Sequence, residues 1–318
     1  MLPGDSPRGL LKARSGFSPK LLLLGSLPLL SACGAETSRS VSTESEEELA
    51  RLVHTLRPGD QVRYREISVL VPPAGEGVHA EAVLSNGQVV ELQLKTEVDG
   101  RVALVRHEEP VEAAERSAQH TAMGACGDGA YNLLGYRWTR TYFWYFNAGT
   151  TPAELTTAEA EQVLREATSN ITGGRNDCGL SDAIGASHQY QGRTSTGTDI
   201  NATGGCNARD GVSVTGFGDL PGGTLALTCT WSNASGEAVE SDARINKADF
   251  TWTTAANSAS CSNRYGLEAI MTHERGHTFG LGHVASGSAL TMRPGFGPCD
   301  GSAATLGLGD VRGLRQKY

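Results

Sequence analysis

The pattern of apolar and polar positions divides the chain into two parts. From about residue 48 to residue 109 these positions alternate with a period of two, as in QVRYREISVLV, which predicts strands that bury one face. The stretch EAVLSNGQVVELQLKTEVDGRVALVRH predicts three strands joined by turns at Asn86-Gly87 and Asp99-Gly100. Residues 48–120 are therefore predicted to form a small β-rich N-terminal region.

From residue 121 onwards strand and helix patterns alternate. An aromatic strand, a pair of strands and a helix are predicted over residues 137–147, 222–231, 237–246 and 264–280. A further helix follows the aromatic strand, because Thr156 and Glu159 fit a capping box at its start and Gly173 can close its end. Residues 121–318 are thus expected to form one domain of the α+β class.

The first 33 residues have the pattern of an export signal. Four basic residues precede LLLLGSLPLL (21–30), whose ten residues would rise only about 15 Å as a helix and so could not cross a bilayer. The run ends in LSAC, which resembles the bacterial lipobox and implies lipidation of Cys33 and a cell-surface lipoprotein. Ordinary signal cleavage near Ala32 or Ala35, giving a secreted extracellular protein, is the alternative. Both interpretations predict an exported chain.

Charge and cysteine content agree with export. Residues 34–47 are small, polar and acidic, which predicts a flexible tether. The formal charge of −8 becomes −11 without residues 1–32, which carry four basic residues and one acidic residue; this acidic balance argues against nucleic-acid binding. Six of the seven cysteines remain if Cys33 carries lipid, and an even number suits disulfides in an oxidising compartment. Of the 15 connectivities open to six cysteines, Cys261 with Cys299 is favoured because the two flank the histidine-rich segment.

That segment, THERGHTFGLGH (272–283), has the spacing of a catalytic metal site. His273 and His277 are i and i+4 on a helix, so both imidazoles project from one face and suit one tetrahedral zinc ion. Glu274 lies beside the first ligand, where it can act as a general base. Gly280 allows a left-handed turn that brings His283 to the same metal. Three histidines leave a fourth position open, as in catalytic zinc sites.

HERGHTFGLGH resembles the zinc-binding motif of the metzincin peptidases, and ASGSALTM resembles their Met-turn, with Met292 beneath the metal. HExxH alone also occurs by chance in unrelated proteins. The added glycine and third histidine make the longer motif a far more specific sign of a functional site. Val284 stands where astacins carry Glu and adamalysins Asp. HxxGHxxGLxH followed by a short loop and Met292 is most similar to the matrixins, with the serralysins next. The resemblance covers about residues 126–318 and implies a twisted mixed sheet with long helices, an active-site helix and a Met-turn. It also implies that GGTLALTCTW is an edge strand, along which a substrate lies extended at Gly223, Thr224, Leu225, Ala226 and Leu227.

The chain departs from the matrixin pattern at three places. Arg293-Pro294 follows Met292 where matrixins usually have Tyr-Pro. His188 stands alone where matrixins place several histidines, so one catalytic Zn²⁺ is expected and no second zinc. The matrixin cysteine-switch motif does not occur, and parity favours a disulfide-bonded Cys126.

These observations predict a monomeric, exported zinc endopeptidase that cleaves protein or peptide substrates with Glu274 as general base, and that touches the membrane only through an N-terminal lipid. The alternative is a surface lipoprotein whose metalloprotease-like domain binds without cutting. Under either function, residues 48–120 are a propeptide over the cleft or a retained accessory domain. The loop 195–222, rich in Asp and Gly, is a candidate for Ca²⁺.

Overall fold

The structure, a computed structural model, describes residues 38–105 and 124–318. The predicted export signal and Cys33 lie outside the described residues. The N-terminal part carries β1 (Ser40–Thr43), α1 (Glu46–Leu52), β2 (Gln61–Tyr64), β3 (Ile67–Leu70), β4 (Glu76–Leu84), β5 (Val89–Thr96) and β6 (Val102–Leu104). The rest carries α2 (Gly124–Gly127), β7 (Asn132–Leu133), β8 (Tyr142–Asn147), α3 (Thr157–Gly173), β9 (His188–Thr194), β10 (Gly205–Cys206), β11 (Val214–Gly218), β12 (Thr224–Asn233), β13 (Ala238–Asn246), β14 (Trp252–Thr253), β15 (Tyr265–Gly266), α4 (Leu267–Thr278), β16 (Leu281–Gly282) and α5 (Leu308–Lys317).

A mixed sheet of eight strands takes its members from both parts of the chain. The order across it is β6-β5-β4-β12-β13-β11-β8-β9. The turns predicted at Asn86-Gly87 and Asp99-Gly100 join β4 to β5 and β5 to β6, and Gly87 and Gly100 have the positive φ values, 79° and 84°, that such turns require. The predicted N-terminal strands therefore continue the sheet of the downstream domain. They do not form a compact unit of their own, since residues 38–318 make up one unit.

The prediction that GGTLALTCTW is an edge strand is wrong. Strand β12 lies between β13 and β4, and β4 runs antiparallel along its whole length from Thr224 to Asn233. Gly223, Thr224, Leu225, Ala226 and Leu227 therefore do not line an open sheet edge. Period-two alternation shows which residues share a face of a strand, but it carries no information on which strand lies alongside.

The prediction of a flexible tether over residues 34–47 is wrong for its second half. Strand β1 pairs in parallel with β2, and α1 begins at Glu46. Thr43 is buried, and its hydroxyl donates to the Glu48 carboxylate, which ties the strand to the helix. Small polar residues keep such a segment soluble, but they do not prevent backbone pairing when a partner strand is available.

Each face of the sheet packs against its own hydrophobic core. The first core contains α3, α4 and α5 together with aromatic residues of β8. The second is built from residues of α1 and β1–β6, and β12 contributes Leu227, Cys229 and Trp231 to it. Because side chains alternate along a strand, Ala226, Thr228 and Thr230 of β12 face α4 instead. Strand β12 is thus a wall shared by both cores.

Local signals in the sequence explain the ends of the helices. The Thr156 hydroxyl accepts from the backbone N–H of Glu159, whose carboxylate accepts in return from the backbone N–H of Thr156, so the predicted capping box is confirmed. Helix α3 ends with Gly174, not Gly173, in the left-handed conformation.

The buried Arg275 fixes α4 to its neighbours. Its guanidinium donates to the hydroxyls of Thr168 on α3 (3.1 Å), Tyr142 on β8 (2.9 Å) and Thr215 on β11, and it lies over the Trp144 ring. Helix α4 is therefore tied to both α3 and the sheet.

Three disulfides link the six described cysteines. The pair favoured from the sequence, Cys261–Cys299, is confirmed, and the other two are Cys126–Cys178 and Cys206–Cys229. The Cys261–Cys299 disulfide brackets helix α4 and the turn that follows it. None of the helices in the described part of the chain is long and apolar enough to cross a membrane.

Candidate metal centre

Helix α4 and the turn after it bring the three predicted histidines together. His273 and His277 lie on one face of α4, which ends at Thr278. Gly280 has a φ of +82°, and a Cβ at this position would lie 2.5 Å from the carbonyl oxygen of Tyr136, so only glycine fits here. The chain then reverses through β16 and places His283 opposite the helix. The predicted left-handed turn at Gly280 is present.

The three Nε2 atoms converge on one point. They lie 3.0 Å apart for His273 and His277, 3.1 Å for His277 and His283, and 3.2 Å for His273 and His283. Zinc held tetrahedrally at 2.0–2.1 Å places its ligand atoms about 3.3–3.4 Å apart. The observed spacing is close to that of a preformed zinc site.

Backbone carbonyls set the tautomers of the two helical histidines. Nδ1 of His273 lies 2.8 Å from the carbonyl oxygen of Thr291, and Nδ1 of His277 lies 2.9 Å from that of Leu281. A carbonyl can only accept, so each Nδ1 carries the hydrogen and each Nε2 presents a lone pair to the centre. Burial lowers the pKa of both imidazoles well below the usual value, which favours this neutral form.

A fourth potential ligand, Glu81, comes from β4 and was missed by the sequence analysis. Its two carboxylate oxygens lie 3.2 Å from Nε2 of His277 and 3.2 Å from Nε2 of His283. The side chain is fully buried, and neither oxygen accepts a hydrogen bond. The only local signal is a charged residue inside HAEAV, an otherwise buried strand segment.

A second carboxylate on the same hairpin orients His283. Glu91 of β5 is the cross-strand neighbour of Glu81, and its carboxylate lies 3.1 Å from Nε2 of His79 and 3.8 Å from Nδ1 of His283. Burial opposes ionisation of Glu91, but its interactions with His283 and His79 hold its pKa well below the usual range. Burial likewise lowers the pKa of His283, yet the two carboxylates raise it to about 10.

Glu274 points into the same pocket. One of its oxygens accepts from the hydroxyl of Thr228 on β12, while the other is buried without a hydrogen-bond partner. Burial, followed by the negative charge of Glu81, raises the pKa of Glu274 well above its usual value. A carboxyl group held in this way is suited to take up and release a proton.

The chemistry of this pocket matches a bound zinc ion. Three Nε2 atoms, of which those of His273 and His277 present lone pairs, converge on it with three carboxylate oxygens that accept no hydrogen bond. The potential ligand atoms of Glu81, His273, His277 and His283 lie within 4.8 Å of one another. Lone pairs and anionic oxygens repel one another unless a cation lies between them. Nitrogen and oxygen donors in near-tetrahedral arrangement fit zinc.

Met292 packs against the part of helix α4 that carries the two histidines. Its side chain is buried against Gly276, which lies on α4 between the two histidines; a Cβ on Gly276 would be 2.1 Å from the Met292 sulfur. The turn is held by Asp310, whose carboxylate accepts from the backbone N–H groups of Thr291 (2.9 Å), Met292 (3.2 Å) and Gly307 (2.8 Å). The sequence analysis did not single out Asp310.

The departure at Arg293 has a structural account. Its guanidinium bonds the Asp300 carboxylate (2.6 Å) and the Ser302 hydroxyl (3.0 Å), and it lies over the Phe296 ring. Phe296 in turn packs edge-on against His273 with ring centroids 5.1 Å apart. Arg293 therefore fixes the loop that borders the metal centre.

Residues 210–318 match the family model of the matrixins. This part of the chain is matrixin-like. The match contains the three histidines, Glu274 and Met292, whereas Glu81 and Glu91 lie outside it. A comparison with curated proteins found no match. The matrixin-like domain thus supplies the metal-binding motif, and the strands before it supply the two additional carboxylates.

A second acidic group joins the loop predicted as a candidate for Ca²⁺, which carries Asp199 and Asp210, to strand β13, which carries Glu240. One carboxylate oxygen from each of Asp199, Asp210 and Glu240 lies within 4.8 Å of the other two. Glu240 is fully buried; one of its oxygens accepts from the backbone N–H of Gly211, and the other has no hydrogen-bond partner. Burial raises the pKa of Asp199, and burial together with Asp199 raises that of Glu240 to about 8. His188 is in neither group, since its ring nitrogens contact Trp144 and Ser169.

Proposed function

We propose that the protein is a zinc-dependent endopeptidase with Glu274 as its general base. The matrixin family match supports a metallopeptidase in general. The observation that carries the finer assignment is the pocket itself, in which three converging Nε2 atoms lie beside the buried carboxyl group of Glu274, one of whose oxygens has no hydrogen-bond partner. His273, His277 and His283 would hold the metal in this arrangement.

The roles of the protein groups follow from their contacts. Zinc, when bound, supplies a Lewis acid that activates water and polarises a peptide carbonyl. Glu274 accepts a proton from the attacking water at its unpartnered oxygen and delivers it to the leaving amine. Thr228 holds the other oxygen in place through its hydroxyl group. Met292 shapes the apolar floor and takes no part in proton transfer.

Peptide substrates would bind in extended form along β12. Residues 223–227 offer backbone groups for strand addition once they are not paired with β4. This requirement distinguishes the proposal from the sequence-based expectation of an open edge.

Glu274→Gln tests the base assignment. Wild type and variant would be purified, assayed for zinc content, and tested on casein before and after limited trypsin treatment followed by trypsin inhibition. We expect equal zinc content and loss of cleavage in the variant. Undiminished cleavage with zinc still bound would show that Glu274 is not the base.

A lipoprotein that binds substrates without cleaving them remains the competing function. It predicts that no preparation of the protein cleaves casein. A zinc endopeptidase instead predicts cleavage that disappears with a chelator and returns when zinc is added.

We propose that the chain is exported and anchored through a lipid on Cys33. The support is the LSAC sequence after a short apolar run. Mass spectrometry of the mature N-terminus would show a diacylglycerol-modified Cys33; an unmodified N-terminus near Ala35 would indicate free secretion. N-terminal sequencing of active protein would also show whether residues 34–120 are retained.

We also propose that Asp199, Asp210 and Glu240 bind one Ca²⁺ ion. The three carboxylates would repel one another without a cation, and one oxygen of Glu240 is buried with no hydrogen-bond partner. Oxygen ligands such as these suit calcium. Calcium should therefore raise the Tm of the wild type but not that of Glu240→Gln. Asp219→Asn, an exposed position in the same loop, is the charge-matched control and should retain the response. An equal response in all three proteins would contradict this site.

A further inference from the structure

Strand β4 lies where the proposed function requires a substrate. It pairs with β12 from Glu76 to Leu84, and this pairing places Glu81 directly opposite Thr228, the residue that holds Glu274. Directly opposed residues in an antiparallel pair project from the same face of a sheet. The strand thus delivers a carboxylate to the metal centre while it occupies the backbone groups of β12.

We propose that the chain carries its own inhibitor: β4 fills the substrate-binding strand position, and Glu81 is the fourth metal ligand that closes the site. This inference rests on the proposed zinc endopeptidase function. Catalytic zinc sites keep one position for water or substrate, whereas sites with four protein ligands are closed. With Glu81 bound the protein is latent.

The contact of Glu81 with His277 is that of a metal ligand and not of an ordinary ion pair. Nε2 of His277 has no hydrogen to donate, because Nδ1 of the same ring donates to the carbonyl of Leu281. A carboxylate oxygen 3.2 Å from that lone pair is repelled unless a cation lies between them. Within the described residues, Glu81 lies within ion-pair distance of His277 and His283 only, and no Lys or Arg side chain pairs with it.

Neighbours on the hairpin fix Glu81 in place. Glu91 on β5 and Thr228 on β12 are its two cross-strand neighbours, so the side chain lies in the middle of the sheet. His79, two residues before Glu81 and on the same face, is held between Glu91 and the Tyr136 hydroxyl. The hairpin therefore docks onto the metal centre through several polar contacts at once.

Release of β4 requires more than a local fluctuation. Its other face contributes Val78, Ala80 and Ala82 to the second hydrophobic core, where they join Leu227 and Trp231 of β12. Exposing such residues is unfavourable by roughly 25 cal/mol per Å² of apolar surface. We therefore expect activation to depend on cutting the chain between the hairpin and the matrixin-like domain.

The ligand role is tested on full-length protein loaded with Co²⁺, whose visible absorption reports its ligands. Wild type, Glu81→Gln and the control Glu76→Gln are titrated with acetohydroxamate, a small metal-binding probe. Glu76 lies on the same strand and pairs with Arg209, away from the metal. We expect the spectrum of Glu81→Gln to shift on addition of the probe, and the spectra of wild type and Glu76→Gln to stay unchanged.

Identical responses of wild type and Glu81→Gln to the probe would overturn the assignment, because the fourth position would already be open in the wild type. This readout does not depend on hydrolysis. If Glu81→Gln gains the probe response but no form of the protein ever cleaves a peptide, the ligand assignment stands and the endopeptidase function fails.

The inhibitory role of the strand is tested by controlled cutting. A recognition sequence for a site-specific protease is inserted between Val105 and Gly124 in the full-length chain. After cutting, we expect loss of residues 38–105 on size-exclusion chromatography in mild denaturant and the appearance of peptide hydrolysis. The same protein with Glu274→Gln should release the fragment but remain inactive. Full hydrolysis by the uncut protein would refute latency.

Discussion

The contact between Gly276 and Met292 offers a quantitative test of how the floor of the metal centre is built. A Cβ on Gly276 would lie 2.1 Å from the Met292 sulfur and 2.8 Å from its terminal methyl. Contacting heavy atoms normally lie about 3.5–4.0 Å apart, so Gly276→Ala must displace the Met292 side chain by more than about 1 Å. Because Met292 is only 1% exposed, any displacement must be taken up by the buried groups around it.

Two opposing effects set the size of the change. Overpacking of a buried site costs about 1–3 kcal/mol, whereas alanine is favoured over glycine inside a helix by about 1 kcal/mol. Gly276→Ala alone should therefore be destabilising by about 0–2 kcal/mol. Met292→Ala alone should cost about 2–5 kcal/mol. The double variant lacks the clash between the added Cβ at position 276 and the Met292 side chain. Its loss of unfolding free energy should therefore be about 1–3 kcal/mol smaller than the sum of the losses in the two single variants.

The assay is urea unfolding of the four proteins of this cycle, with disulfides intact and metal removed. Gly173→Ala is the control, because nothing lies within 4 Å of a Cβ at that helical position, and it should be neutral or stabilising. Zinc affinity provides a second readout: displacement of Met292 disturbs the neighbouring carbonyl of Thr291, which orients His273, and should weaken binding by about 10- to 100-fold. If the free-energy changes of the two single variants add up to that of the double variant within about 0.5 kcal/mol, the reasoning is refuted.

Three further changes probe the surroundings of the site. Asp310→Ala leaves three backbone N–H groups without their acceptor and should cost at least about 3 kcal/mol in urea unfolding, with Asp310→Asn milder; equal stability would contradict this role. Removing the Cys261–Cys299 disulfide, whose cysteines are 38 residues apart, by changing both to Ser should lower the free energy of unfolding by about 2–4 kcal/mol. Burial, then Arg137, lowers the pKa of Lys317 from 10.5 to about 8. Between these values the unfolded chain binds more protons, so stability should rise with pH; Lys317→Met should lack this part of the rise.

Sequence reasoning identified the parts of the site that lie close together along the chain. His273, Glu274, His277 and His283 fall within eleven residues, and helical periodicity with a glycine turn is enough to bring them together. The capping box at Thr156 and the two-residue hairpin turns were predictable for the same reason, since each depends on neighbouring residues.

Glu81 could not be predicted in this way. It reaches the histidines from almost two hundred residues earlier, through the pairing of β4 with β12. Binary patterning assigns the faces of these strands, but their partnership depends on how two cores fill on opposite sides of the sheet. The open edge expected for β12 was wrong because that information is absent from local sequence.

The shared wall formed by β12 also has a consequence for the order of folding. The hairpins β4–β5 and β12–β13 close through short turns, whereas Glu81 and Thr228 are separated by 147 residues (228 − 81). Contacts of such high order form late, since a long loop must close before they contribute stability. We therefore expect the three histidines to assemble before the carboxylate arrives. A nascent chain would then pass through an open metal site and become latent only at its last step.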